Sequence, residues 1–170
     1  NKILKSGKHL LSLINEVLDL SKIEANRLDI NLGKFELQNV IKMIMDSIVP
    51  YTKINNNTLN FNIPKKSIEI FSDELKFKQI LFNLLTNACK YSENSDIDFI
   101  IKNVKINNVE NIEITVRDKG VGIAKEELEL IFDPFTRVNK EKNINIEGTG
   151  LGLAITKAYV DLLGGKIKVR

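Results

Sequence analysis

At 170 residues, with 43% hydrophobic and 28% charged content, the chain has an ordinary globular composition, enough for one moderate domain and an appendage. A formal net charge of +3 from scattered lysines gives no basic stripe, which argues against a nucleic-acid partner. The single cysteine, Cys89, excludes an internal disulfide, and the absence of any run of about eighteen apolar residues excludes a simple helical membrane span.

Over residues 3–28 the apolar positions recur at helical spacing. Ile3, Leu10 and Val17 form one heptad row, Leu13 and Leu20 a second, and Leu4, Leu11 and Leu18 lie beside them. So wide a stripe needs partners on more than one side, as in a helix bundle or dimer. Residues 31–34, with Gly33, break the pattern and read as a linker. Helical spacing resumes over 35–55 through Leu37, Val40, Ile41, Ile44 and Ile48, with Pro50 as a break or bend. Residues 58–63 alternate Leu59, Phe61 and Ile63 against polar neighbours, and 68–71 form a second short strand.

The next helix, with Ser72 or Asp73 as its cap, contains the stretch QILFNLLTNACKYS at 79–92. At roughly 100° per residue, Asn83, Asn87 and Lys90 fall within an arc of about 60°, with Tyr91 beside them. Ile80, Leu81, Leu84, Leu85 and Ala88 fill the remainder, so the helix must lie on a core while presenting two carboxamides and an ammonium outward. Strands at 97–106 and 112–116 follow, joined by a polar turn over 107–111. A short helix spans 125–132 and a longer one 151–163, which Gly164 and Gly165 stop before a last strand at 166–169.

Three further stretches punctuate this second half: DKGVGI at 118–123, FDPF at 132–135 and GTGLGLAI at 148–155. A lone Gly-x-Gly is common in any turn, but the four stretches in this order are specific. They resemble the N, G1, F and G2 boxes of the ATP-binding domain of sensor histidine kinases, in the superfamily that includes gyrase and the mismatch-repair ATPases. SLINEVLDLSKIEANRLDI, at 12–30, is similar to the second helix of that family's dimerisation and phosphoacceptor hairpin. The resemblance covers nearly the whole chain. It implies an α+β fold: a two-layer α/β sandwich of the histidine kinase ATPase type, a mixed sheet packed on helices, preceded by one long bundle helix. Residues 1–30 would be that helix, 31–34 the linker and 35–170 the catalytic domain, truncated at its C-terminus. The family's phosphoacceptor lies on the first hairpin helix, which is absent. The only histidine, His9, is followed by Leu10, Leu11 and Ser12 and does not match the acceptor motif, so it reads as an exposed bundle residue.

The resemblance implies ATP and Mg²⁺ as cofactors and assigns roles by position. Asp118 would accept a hydrogen bond from N6 of adenine. Gly120 and Gly122 would let the backbone approach the flat base, or serve only a tight turn. Tyr91 would pack on adenine or ribose, with core packing as the alternative. Asn87 would hold the metal, since an octahedral Mg²⁺ bound mainly to phosphate and water needs one or two protein oxygens. Lys90 supplies a positive charge toward the phosphates. Phe132 and Phe135 would pin the start of a polar lid over 133–147, from which Arg137 or Lys140 reaches the terminal phosphate. Gly148, Thr149, Gly150, Leu151, Gly152 and Leu153 would cradle the triphosphate where a helix begins, and Ile123 closes the G1 stretch.

Asn83 bears on reaction type. The superfamily's hydrolases usually carry a glutamate at this position, and an amide cannot act as general base at neutral pH, so hydrolysis is disfavoured. The expected function is that of a protein-histidine kinase passing the γ-phosphoryl to a histidine outside this chain, in cis or in trans, and onward to a response regulator receiver domain. The parent would be a homodimer through the helical hairpin, with this domain cytoplasmic and the parent either membrane-anchored or not. Three rivals remain: an ATPase of the same superfamily, a silent nucleotide-binding module, and a protein-serine kinase on the same scaffold.

Overall fold

The computed structural model describes residues 2–25, 27–138 and 148–170, which cluster into two compact units, one of residues 32–122 and one of residues 1–31 with 123–170. The His9 side chain, Lys140 and the 139–147 part of the expected lid lie outside the described residues.

In the unit of residues 32–122, strand β1 (Gly33–Glu36) leads into helix α2 (Leu37–Ile54), followed by β2 (Thr58–Asn62), β3 (Glu69–Ser72), helix α3 (Glu74–Tyr91), β4 (Asp96–Ile106) and β5 (Val109–Arg117). β2 runs parallel to β4 and β4 antiparallel to β5, giving a mixed sheet of order β2-β4-β5, while β1 and β3 form a separate antiparallel pair. Alternation puts Ile97, Phe99 and Ile101 of β4 on one face. They are buried with Val40, Ile41, Ile44 and Ile48 of α2 and Leu81, Leu85, Ala88 and Cys89 of α3. This is the expected two-layer sandwich, with the core between the helix pair and the sheet.

Helix α3 begins where the sequence suggests. Asp73 caps it by accepting from the Lys76 amide at 3.0 Å, and the Lys76 ammonium lies 3.0 Å from the other carboxylate oxygen. Pro50 sits inside α2 without ending it, on an exposed turn of the helix.

Three local expectations are corrected. Residues 33–36 form β1 rather than linker and helix start, because Lys34 and Phe35 pair with Phe71 and Ile70 of β3. The β4–β5 turn is two residues, not five: Asn107 and Asn108 both adopt positive φ, 51° and 62°, as a type I′ turn requires and as asparagine tolerates. In the other unit, residues 125–132 form two 3₁₀ turns, Lys125–Glu127 and Leu130–Phe132, closed by bonds such as Asp133 N–H to Leu130 O at 3.0 Å. Two turns of chain are too few to stabilise an α-helix on their own.

The unit of residues 1–31 and 123–170 contains helix α1 (Lys2–Glu24) and helix α4 (Gly152–Leu162). Leu10, Leu11, Val17 and Leu18 of α1, all from the heptad rows, are exposed, and so is Ile14. Gly164, at φ 75°, turns the chain so that its amide and that of Gly165 close onto Asp161 O and Val160 O. The expected final strand is not formed among the described residues. Ile167 and Val169 keep the alternating burial of a strand, but no other segment pairs with residues 166–169 to make a ladder.

Candidate functional site

Within the unit of residues 32–122, α3 carries its apolar face into the core, with Ile80, Leu81, Leu85, Ala88 and Cys89 buried, and leaves Asn83, Asn87, Lys90 and Tyr91 half-buried. The 3.6-residue period brings Asn83, Asn87 and Lys90 within an arc of about 60°, with Tyr91 beside them. The Lys90 ammonium lies 5.2 Å from the centroid of the Tyr91 ring, within cation–π range. Cys89, directed inward, has its thiol pushed up to about 11 by burial and so stays a protonated core residue at neutral pH.

β5 delivers Asp118 to the sheet end. The carboxylate is exposed and accepts the Gly120 amide at 2.9 Å through one oxygen, an Asx turn. The turn is fastened to the end of α3, because Val121 donates to the Tyr91 carbonyl at 3.3 Å. A Cβ on Gly120 would stand 2.2 Å from that carbonyl oxygen, so glycine is demanded here by the close approach of two backbones. Gly122 differs: nothing lies within 4 Å of its missing Cβ, and its φ of 69° is the reason for glycine. Asn87, Lys90, Tyr91, Asp118, Gly120 and Gly122 therefore belong to one unit, with the Asp118 turn fixed to the end of the helix that carries the other three side chains.

Residues 55–57 also converge on that helix end, a role that composition does not reveal in an asparagine-rich turn. Asn57, 8% exposed, donates to the Cys89 and Ser92 carbonyls, each at 2.9 Å, and accepts from the Ser95 amide at 3.2 Å. Asn55 donates to Cys89 O at 3.1 Å and Lys90 O at 3.3 Å.

In the other unit the FDPF and GTGLGL stretches meet. A Cβ on Gly150 would lie 2.7 Å from the Phe135 carbonyl carbon and 2.9 Å from Thr136 O, and Gly150 and Phe135 both adopt positive φ, 75° and 62°. Thr149 Oγ1 accepts the Leu151 amide at 3.1 Å at the start of α4 and donates to Glu16 of α1 at 2.9 Å. Within α4, Tyr159 donates its hydroxyl to Asp19 of α1 at 2.9 Å. Phe132 is half-buried with the Lys157 ammonium 5.5 Å from its ring, while Ile123, Phe135, Arg137 and Gly148 are exposed. The Leu151 side chain is buried and that of Leu153 half-buried, so Leu151 could meet a ligand only through its backbone. Among the described residues no helix is long and apolar enough to cross a membrane.

Residues 72–170 match the family model of histidine kinase-, DNA gyrase B- and HSP90-like ATPases. A sensor-like histidine kinase of Rhizobium meliloti is 33% identical over 166 residues, which are 98% of this chain and 31% of that protein. The signal transduction histidine-protein kinase BarA of Escherichia coli K12 is 32% identical over 169 residues, 98% of this chain and 18% of its own length. The chain thus spans a third or less of the curated relatives it matches. The crystal structure of full-length ShkA in complex with AMPPNP superposes with a TM-score of 0.81 at 26% identity, covering 96% of this chain and 33% of that one.

Proposed function

We propose that this chain, which belongs to the family of histidine kinase-, DNA gyrase B- and HSP90-like ATPases, is the ATP-binding catalytic part of a sensor histidine kinase. The observation that carries the reading is the turn at Asp118, locked against Tyr91 by the Gly120 approach and the Val121 bond, with one carboxylate oxygen left to receive an adenine amine. Tyr91 offers its ring to the base or ribose, and Lys90, now resting on that ring, has the reach of a flexible stem to swing toward phosphate. No cluster of three or more His, Cys, Asp or Glu side chains occurs among the described residues. Mg²⁺ carried by a triphosphate keeps its waters and needs one protein oxygen, for which the half-buried Asn87 carboxamide is suited.

In the other unit, the amides at the start of α4 and the glycines before it suit a phosphate group, with Arg137 as a contact to its terminal oxygens. Bound magnesium would neutralise charge developing on the β- and γ-phosphates. Asn83 leaves the site without a base strong enough to activate water, which favours transfer to an imidazole, a nucleophile already neutral near pH 7. The acceptor histidine, the receiver domain of a response regulator and dimerisation through a helical hairpin belong to the whole kinase. Residues 1–30 would be its second hairpin helix, and the catalytic domain would follow a linker cut short at residue 32, since 33–36 form β1.

Titrating the chain with Mg-ATP tests the reading. Binding by the wild-type chain, lost in Asp118→Asn with the circular dichroism spectrum kept, is expected, since an Asn side chain can still accept the Gly120 amide. Unchanged affinity in that variant would refute the adenine assignment.

A further inference from the structure

Every backbone carbonyl from Cys89 to Ser92 accepts a hydrogen bond from another segment. Asn55 and Asn57 serve Cys89, Asn55 serves Lys90, Val121 serves Tyr91 and Asn57 serves Ser92. The last turn of a helix ordinarily leaves such carbonyls to water or to a glycine cap. Here no glycine follows: the cap residue Ser92 is extended, at φ −113° and ψ 150°, and the Cys89, Lys90 and Ser92 carbonyls are taken by side-chain amides from a loop more than thirty positions away in sequence. Asn57 spends its whole capacity on this junction, with two N–H donors on two carbonyls and its oxygen accepting from the Ser95 amide and hydroxyl. A flipped amide would set its oxygen against both carbonyls, so only one orientation is compatible with the surroundings. Two backbone bonds close the same junction, Asn94 N–H to Asn55 O and Thr58 N–H to Ser95 O, each 2.9 Å.

We propose that Asn57, supported by Asn55, is a positioning residue for the nucleotide site: it fixes the end of α3 that presents Lys90 and Tyr91 and, through the Tyr91 carbonyl, the Asp118 turn. This rests on the nucleotide reading above. Removing the clasp releases the Cys89 and Ser92 carbonyls, lets the last turn of α3 fray and slackens the Val121 bond. A displacement of about 1 Å takes a hydrogen-bonding group out of range of its partner, and in catalysis a misplacement of that size costs up to about a hundredfold. Helical periodicity cannot find such a residue, because Asn57 lies in the turn between α2 and β2 and outside all four motif stretches.

The test uses the full chain and three variants. Asn57→Asp keeps the size and the acceptor for Ser95 but loses both donors, and Asn55→Ala removes the milder half of the clasp should the first fail to fold. Ile41→Val, in the α2 core, loosens the same unit without touching the junction. The dissociation constant for Mg-ADP is measured where each variant is folded by circular dichroism, together with amide exchange at Val121. Expected is a rise of about tenfold or more for whichever clasp variants fold, with faster Val121 exchange, and no change for Ile41→Val. Wild-type affinity in the clasp variants, or an equal loss in Ile41→Val, would overturn the positioning role alone. Failure of the wild-type chain to bind nucleotide would instead overturn the nucleotide reading, and with it any such role for the clasp.

Discussion

Gly120→Ala tests the junction on which the candidate site depends. The added methyl would sit 2.2 Å from Tyr91 O and 2.9 Å from both Tyr91 C and an Asp118 carboxylate oxygen, where ordinary contact begins near 3.4 Å. Neither backbone neighbour can swing aside. Tyr91 ends a helix anchored in the core, and the turn is tied to it through the Val121 amide. Relief therefore requires the turn to back away by about 1 Å, breaking the Val121 bond. Overpacking of this kind and one lost hydrogen bond together should cost about 2–4 kcal/mol. With an m value of about 2 kcal/mol per M, the urea midpoint falls by roughly 1–2 M. Gly122→Ala is the internal comparison: it meets no atom within 4 Å and costs only the positive-φ penalty, about 1 kcal/mol. Urea denaturation followed by circular dichroism, with parallel nucleotide titrations, measures both. Equal, small losses in the two variants would refute the claim that the Asp118 turn is locked to the helix end.

Three other outcomes are expected. The Ser92 hydroxyl is buried without a hydrogen-bond partner among the described residues, so Ser92→Ala should raise stability by about 0.5–1 kcal/mol, and a loss above about 1 kcal/mol would contradict it. Tyr159→Phe deletes the bond to Asp19 and should cost about 1–2 kcal/mol, read as a lower thermal midpoint and faster amide exchange in α1; unchanged exchange would show that the hydroxyl does not tie α4 to α1. The raised Cys89 pKa means that the folded protein holds the thiol proton more tightly than the unfolded chain. The resulting stability is whole below the ordinary thiol value of 9.0 and is lost as pH rises toward about 11. Cys89→Ala should flatten that alkaline decline, and an alkaline limb of the same slope in both proteins would refute it.

The two-layer fold was legible wherever burial writes a period into the sequence. The 3.6-residue pattern of α2 and α3 and the two-residue pattern of β2, β4 and β5 are direct records of which face meets the core. What escaped depends on partners distant in sequence. β1 is four residues whose strand character comes from pairing with β3, and residues 166–169 have a strand's alternation but no partner among the described residues. The residues of the candidate site stood out because glycine, asparagine and aspartate interrupt apolar runs. Their reasons did not: Gly120 and Gly122 look alike in sequence, yet one answers a steric contact and the other a backbone angle. Asn57 looks like any turn residue, and Glu16 and Asp19 look like a solvated helix face. Each gains its meaning from a neighbour between 32 and 140 positions away.

Phosphoryl transfer itself is the central claim. The direct measurement is a single turnover of γ-labelled ATP with Mg²⁺ on this chain joined upstream to a hairpin helix bearing a phosphoacceptor histidine, counting label on protein against label in free phosphate. Acid-labile, base-stable label on the protein, absent when that histidine is replaced, is the predicted result. Label only in free phosphate would make the domain a hydrolase despite Asn83, and bound ATP with no label transferred would contradict the kinase mechanism altogether.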